Sequence, residues 1–285
     1  MVKEASDKAP RIAFQGESGA FSEEAISKLF AEKATTVPCP NFDDLFAAVP
    51  TDRADYALVP LENTLAGHIP ACYELLYKSE LTIHGEVVLP IHHCLIGCRG
   101  ATVEGLRAVQ SHPVALEQCE NFFRQHPQIE RTAAADTAGS TREVLERGDA
   151  SVAAIASEYA ARVYGGAILL RNLEDYPENF TRFALLGRGK PAGGGDKWSL
   201  VVKLQHRPGG LCAALEPFAR HHINLLNIVC RPIKGQPWEY QFFIDLSTSG
   251  AEGNMSIAMK ELEGAVEELR VLGTYASARN AAEQQ

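Results

Sequence analysis

Short apolar runs alternate with helical repeats between Arg11 and Gly187. Arg11-Ile12-Ala13-Phe14 is a brief apolar run feeding a glycine-rich turn. From Ser22 onward Ala25, Ile26, Leu29 and Phe30 recur at helical spacing behind Glu23 and Glu24, which predicts a helix with acidic residues in its first turn. Asp43–Val49 repeats that pattern, and Tyr56–Pro60 reads as a buried strand. A strand at Arg107–Val109, helices at Leu116–Arg124 and Ala138–Arg147, and a strand at Val152–Ile155 continue the alternation. Strands interleaved with helices predict an α/β sheet covered on both faces.

The stretch from Gly187 to Asp196 carries five glycines and Pro191, so it holds neither helix nor strand and reads as a linker over 188–196. Beyond it come a strand at Trp198–Gln205, a helix at Leu211–His221, strands at Asn224–Arg231 and Trp238–Leu246, a helix at Met255–Arg270 and a last strand at Val271–Ala276. That βαββαβ order predicts a ferredoxin-like sandwich. The expected domains are 10–187 and 197–277, joined by the linker.

Bulk properties narrow the function. A chain of 285 residues with 46% hydrophobic content suffices for two packed domains. A net charge of −9 with no basic run argues against nucleic acid as a partner. Met1–Lys8 has no apolar core of a signal peptide, and runs such as Val152–Ala156 are too short to cross a bilayer, so a soluble, cytoplasmic protein without membrane contact is expected. The seven cysteines form no paired framework and fit reduced thiols. His92-His93-Cys94 resembles a metal cluster, but adjacent residues on a strand point to opposite faces, and no metal is expected. The dinucleotide fingerprint is absent, which rules out NAD and leaves no cofactor expected.

Candidate chemistry concentrates in Asn179-Phe180-Thr181-Arg182-Phe183. The stretch fits either a strand with alternating faces or an apolar pocket in which Thr181 donates a proton and Arg182 holds an anion, with Phe180 and Phe183 packed around them. Asn63 follows the Tyr56–Pro60 strand and so falls where open α/β sheets bind ligands, or else makes a local turn. Ser111 lies between a strand and a helix, placed to cap the helix and to reach a ligand. The helix starts at Gly16–Ser22 and Asp136–Ser140 offer backbone amides to an anion. His112 is available as a general acid but has no orienting partner in the sequence.

Six ordered segments carry a resemblance to the prephenate dehydratase family, whose members convert prephenate to phenylpyruvate in phenylalanine synthesis. They are Gly16–Ser22, Pro60–Gly67, Ser111-His112-Pro113 with Leu116-Glu117-Gln118-Cys119, Asp136–Ser140, Ala154–Ser157 and Asn179–Phe183. The resemblance implies a catalytic part of two α/β lobes like type II periplasmic binding proteins. It implies Thr181 as donor to the leaving oxygen. Arg182 either holds a substrate carboxylate or pairs structurally with Glu62. Asn63, Ser111 and Gln118 are implied as substrate contacts, with Ser18, Gly19, Thr137, Ala138 and Gly139 at the anion. The C-terminal part resembles an ACT domain, which implies an amino-acid effector, L-phenylalanine, at Gly209, Gly210, Leu211, Cys212, Arg231 and Pro232. The family's Glu-Ser before that Arg-Pro is Val229-Cys230 here, which removes an acceptor for an ammonium group. A homodimer or homotetramer is expected. Arogenate dehydratase and a non-enzymatic amino-acid sensor are the alternatives.

Overall fold

The computed structural model describes residues 9–31, 33–190, 194–205, 207–251 and 253–278. Met1–Lys8, where no leader is expected, and Pro191, Ala192 and Gly193 of the glycine-rich stretch lie outside them. The described chain forms two compact units: one runs up to Gly67 and resumes over Val87–Phe183, and the other takes in His68–Glu86 and the chain from Ala184. The units therefore do not divide at the glycine-rich stretch alone.

In the first unit β1 (Arg11–Gln15) lies between β2 (Thr35–Cys39) and β3 (Tyr56–Asn63), parallel to both. Ile12, Ala13 and Phe14 are fully buried, as a parallel strand covered on both faces requires. Helices α1 (Phe21–Phe30) and α2 (Phe42–Ala48) follow β1 and β2, and β4 (Gly67–His68) pairs with β3. The second element of this sheet that matters for the site is β11 (Phe180–Gly187), which neighbours β3, with β5 (Thr82–Pro90) beyond it. β3 runs through Pro60 to Asn63, three residues past the end expected from the sequence, so Glu62 and Asn63 are strand residues.

A second sheet in the same unit has the order β10-β6-β9-β7-β8. Its strands are β6 (Cys94–Gly97), β7 (Ala108–Ser111), β8 (Glu130–Ala133), β9 (Val152–Ala156) and β10 (Ala167–Leu170). β7 is parallel to β8 and β9, whereas β6 runs antiparallel to β9 and β10. Its core gathers Leu95, Val109, Leu116, Phe122, Phe123 and Ile155. The single helix expected over Leu116–Arg124 is two: α4 (Pro113–Glu117) and α5 (Glu120–Gln125), with Gln118 and Cys119 at the break. Asp175 stabilises the break by accepting from the amides of Glu120 and Asn121. α6 (Thr137–Arg147) starts at an Asp136 cap and α7 (Glu158–Tyr164) at a Ser157 cap; each ends on a left-handed glycine, Gly148 and Gly165.

The other unit contains α3 (Pro70–Lys78) and the expected βαββαβ run: β12 (Lys197–Lys203), α8 (Gly210–Arg220), β13 (Asn224–Pro232), β14 (Tyr240–Ser247), α9 (Met255–Ala265) and β15 (Glu268–Tyr275). The sheet order is β13-β14-β12-β15, antiparallel throughout. α9 ends at Ala265 rather than Arg270, because Arg270 is used on β15, where it donates to the carbonyls of Tyr77, Ser79 and Leu81. β14 begins at Tyr240; Trp238, expected on the strand, sits at φ 68° and is exposed. Lys197 and Glu86 form a buried pair at 2.7 Å. Among the described residues no helix is long and apolar enough to cross a membrane, and no group of three or more His, Cys, Asp or Glu side chains converges on a metal position.

Candidate active site

β3 and β11 bring their polar ends together. The Asn63 amide nitrogen lies 2.7 Å from Asn179 Oδ1, 3.0 Å from Thr181 Oγ1 and 3.1 Å from the Phe180 carbonyl. Asn179 Nδ2 donates to Gln118 Oε1 at 3.1 Å, and the same oxygen is 2.9 Å from His93 Nε2. Asn179 is fully buried, His93 is 2% exposed and Thr181 9% exposed, so these three are shielded from water, whereas Asn63 and Gln118 are half-buried. The Phe21 ring meets His93 edge-on, with centroids 5.6 Å apart.

Backbone geometry fixes the direction of every bond in this chain. Asn63 Oδ1 accepts from the amides of Leu65 at 3.0 Å and Ala66 at 2.8 Å, which are donors only. Its other terminus is therefore the NH2 group, and it donates to Asn179 Oδ1 and Thr181 Oγ1. Asn179 must then donate to Gln118, and Gln118 Oε1 must accept from His93 Nε2–H. Because Thr181 Oγ1 receives a hydrogen from Asn63, its own hydroxyl hydrogen points away from that bond. Thr181 is thereby presented as a donor, with a neighbouring N–H placed to stabilise charge developing on its oxygen.

The period of two on a strand sends Arg182 to the other face of β11 from Thr181. There its Nε is 3.5 Å from Glu62 Oε2, the ion-pair alternative open in the sequence. Phe183 shares the buried face with Thr181 and is 2% exposed; Phe180 shares the half-buried face with Arg182.

Three other expectations change on inspection. Ser111 is fully buried and donates to the Ile155 carbonyl at 2.6 Å, while the cap of α4 is His112, whose Nδ1 accepts from Val114 N. The Gly19 amide is 2.6 Å from Glu23 Oε2, so a carboxylate of the protein already occupies it. Gly19 has φ +88°, and a Cβ there would come within 3.1 Å of Ala160, which explains the glycine. Likewise the Gly139 amide donates to its own cap, Asp136, at 2.6 Å. What remains for an anion are the first-turn amides that α-helix geometry leaves without carbonyl partners: Phe21 and Ser22 on α1, and Thr137 and Ala138 on α6. The exposed Ser18 is held through its carbonyl by the Tyr164 hydroxyl at 2.7 Å. Arg142 forks onto Glu17 at 2.8 and 3.1 Å beside it.

Asn179 and His93 were not singled out from the sequence as site residues. His92 and His93 follow β5 in a short connection, and their rings part: His92 pairs with Glu174 at 2.7 Å while His93 turns to Gln118. Burial is the main cause that lowers the His93 pKa; the Gln118 bond and Glu174 oppose it, and His92 adds to it. Burial thus favours the neutral ring.

In the other unit Gly209, at φ 79°, opens α8, and Gly210 N is bonded to Arg207 O. Leu211 and Cys212 keep first-turn amides that helix geometry leaves open. Arg231 points at Glu74, 3.6 Å away, ahead of Pro232 at the end of β13. Val229 is buried and Cys230 exposed.

The chain matches the family model of prephenate dehydratase over residues 12–191 and that of the ACT domain over 198–251. It is 39% identical over 277 residues to arogenate dehydratase/prephenate dehydratase 2, chloroplastic, of Arabidopsis thaliana, covering 93% of this chain and 72% of that protein. Among solved structures it resembles prephenate dehydratase from Arthrobacter aurescens in complex with L-Phe: TM-score 0.85, 30% identity, 96% of this chain and 91% of that one. It also resembles GqqA, described as a novel type of quorum quenching acylase, with TM-score 0.86 and 33% identity over 94% of this chain and 98% of that one.

Proposed function

This chain belongs to the prephenate dehydratase family and carries an ACT domain, and from that premise we propose that it converts prephenate to phenylpyruvate under control by L-phenylalanine. In the reaction the ring carboxylate departs as carbon dioxide and its bonding pair enters the ring. The ring carbon–oxygen bond breaks, and the departing oxygen takes a proton and leaves as water. The single observation carrying the reading is the direction of the Asn63–Thr181 bond, which leaves the Thr181 hydrogen for that oxygen. A threonine hydroxyl is a weak acid, so its contribution is a hydrogen bond that strengthens as charge develops. Gln118 and the open amides of Phe21, Ser22, Thr137 and Ala138 hold the carboxylates. Arg182 acts by holding Glu62 and the end of β3 in place.

Arogenate is the second substrate to consider, because the Arabidopsis relative is named for both activities. The regulatory reading rests on the L-Phe complex of the Arthrobacter relative and on the α8 amides at Leu211 and Cys212. Val229 offers the effector's ammonium group no acceptor, so backbone carbonyls take that role. Exposed Leu225 and Leu226 on the edge strand β13 support assembly into a homodimer or homotetramer. We place the enzyme in the cytoplasm.

Purified protein should be assayed on prephenate and on arogenate, each with and without L-phenylalanine. The proposal expects phenylpyruvate from prephenate and suppression by phenylalanine. Turnover of arogenate alone would replace the substrate, and turnover indifferent to phenylalanine would remove the regulatory part. Acylase activity in place of both would move the site to the chemistry named for GqqA. Ligand binding without any turnover would favour a sensor.

A further inference from the structure

His93 ends the polar chain that begins at Asn63, and what it does there rests on the dehydratase reading. Its ring is 2% exposed, Nε2 is 2.9 Å from Gln118 Oε1, and Nδ1 has no hydrogen-bond partner among the described residues. A ring serving only as packing would not need its one polar contact aimed at the oxygen that Asn179 already contacts. With two donors on Gln118 Oε1, one from Asn179 and one from His93, the Gln118 amide cannot flip. Its NH2 group is then the end left for a ligand oxygen.

We propose that His93 is a positioning residue which, as the Nε2–H tautomer, locks the Gln118 amide so that Gln118 always presents a donor to the substrate. The other tautomer would set the lone pair of Nε2 against the Gln118 oxygen and is excluded by the chain of donors starting at Leu65 and Ala66. A second proton on Nδ1 would place a charged N–H where no acceptor lies among the described residues. The charged or titratable groups acting on the ring are Glu174, which accepts from the His93 backbone amide at 2.8 Å, and His92 beside it.

The test is a double-variant cycle on turnover of prephenate, or of arogenate should that be the substrate, with His93→Leu, His93→Gln, Gln118→Leu and the combination of His93→Leu with Gln118→Leu. His93→Leu is expected to lower kcat/KM by about 100-fold, the scale set by misplacing a substrate-orienting group by about 1 Å. His93→Gln, whose amide nitrogen reaches the place of Nε2, should recover most of it. In the combined variant the loss should equal that of Gln118→Leu alone. Additive losses, or no rescue by glutamine, would overturn the inference. Failure of the wild type on both substrates would sink the dehydratase reading itself. In either case nitrogen NMR of histidine-labelled protein decides the tautomer: a proton on Nε2 supports the lock and a proton on Nδ1 overturns it.

Discussion

Replacing Asn63 by aspartate changes one NH2 group to an oxygen and almost nothing in volume, so it isolates the direction of the hydrogen-bond chain. The oxygen facing Leu65 and Ala66 keeps both amides. The other oxygen then stands where the nitrogen stood, 2.7 Å from Asn179 Oδ1, 3.1 Å from the Phe180 carbonyl and 3.0 Å from Thr181 Oγ1. As a carboxylate it has no proton to offer two carbonyl oxygens. Thr181 can turn its hydroxyl to donate to it, and in turning withdraws its hydrogen from the substrate. Losing one preorganised donor of this kind costs about 10²–10³ in kcat, or about 2.7–4 kcal/mol. Two facing carbonyls and partial burial push the introduced carboxyl's pKa up. Once protonated it again supplies a hydrogen to the chain and frees the Thr181 hydroxyl. The ratio of variant to wild-type kcat should therefore climb about tenfold per pH unit on the acid-going side, until the carboxyl is protonated. The sign for stability agrees. A folded-state pKa above the unfolded one gives a contribution present below the unfolded pKa and lost as the pH rises through the folded pKa, so the variant gains on the wild type in acid. The assay is kcat on prephenate against pH with the uncatalysed rate subtracted, alongside thermal midpoints. A ratio flat with pH, or a kcat within about 3-fold of wild type near neutrality, would refute the reasoning.

Further tests address other parts of the molecule. Lys197→Met should destabilise by about 3–5 kcal/mol in denaturant unfolding, because it takes the buried cation from the Glu86 carboxylate, which keeps the Ala278 amide; adding Glu86→Leu should return much of that loss. Ser151 and then Arg107 hold the Asp149 carboxyl down at about 2 from its ordinary 3.8. Its folded pKa lies below the unfolded one, so its contribution is present above about pH 4 and lost as the pH falls through about 2. Thermal midpoints of wild type should therefore fall more steeply over that window than those of Asp149→Asn. A thiol-specific disulfide reagent should label the exposed Cys212 quickly, whereas Cys72, pushed up to about 12 by burial, and the buried Cys119 should react only on unfolding.

Much of the fold was legible because burial leaves local marks. The Ile12-Ala13-Phe14 run gave β1, the spacing of Ala25, Ile26 and Leu29 gave α1, and the order of the last six elements was readable from alternating periods. The breaks were not. Pro60 looked like the end of a strand, yet β3 continues to Asn63 because a sheet neighbour, not local propensity, holds its last residues. Nothing in Leu116–Arg124 signals that Asp175, more than fifty residues on, will cap a new helix at Glu120. At the site, Asn63, Thr181 and Gln118 were recognisable from their motifs. Asn179 and His93 join them through bonds spanning 116, 61 and 25 residues, beyond any local pattern. Two details were readable in principle. The period of two already put Arg182 across the strand from Thr181, and Asp136 three residues before Gly139 is a cap spacing that takes the glycine's amide.

The hydroxyl of Thr181 is where the account is most exposed, and Thr181→Val removes it while keeping the shape. Asn63 has two N–H hydrogens and retains Asn179 Oδ1 and the Phe180 carbonyl as acceptors, so the fold should lose only about 0.5–1.5 kcal/mol. Calorimetric binding of prephenate measured beside its turnover by the same preparation is the decisive experiment. Binding within about 3-fold of wild type with kcat lower by about 10²–10³ is the expected result. Turnover preserved without the hydroxyl, or binding lost along with it, would contradict the role assigned to Thr181.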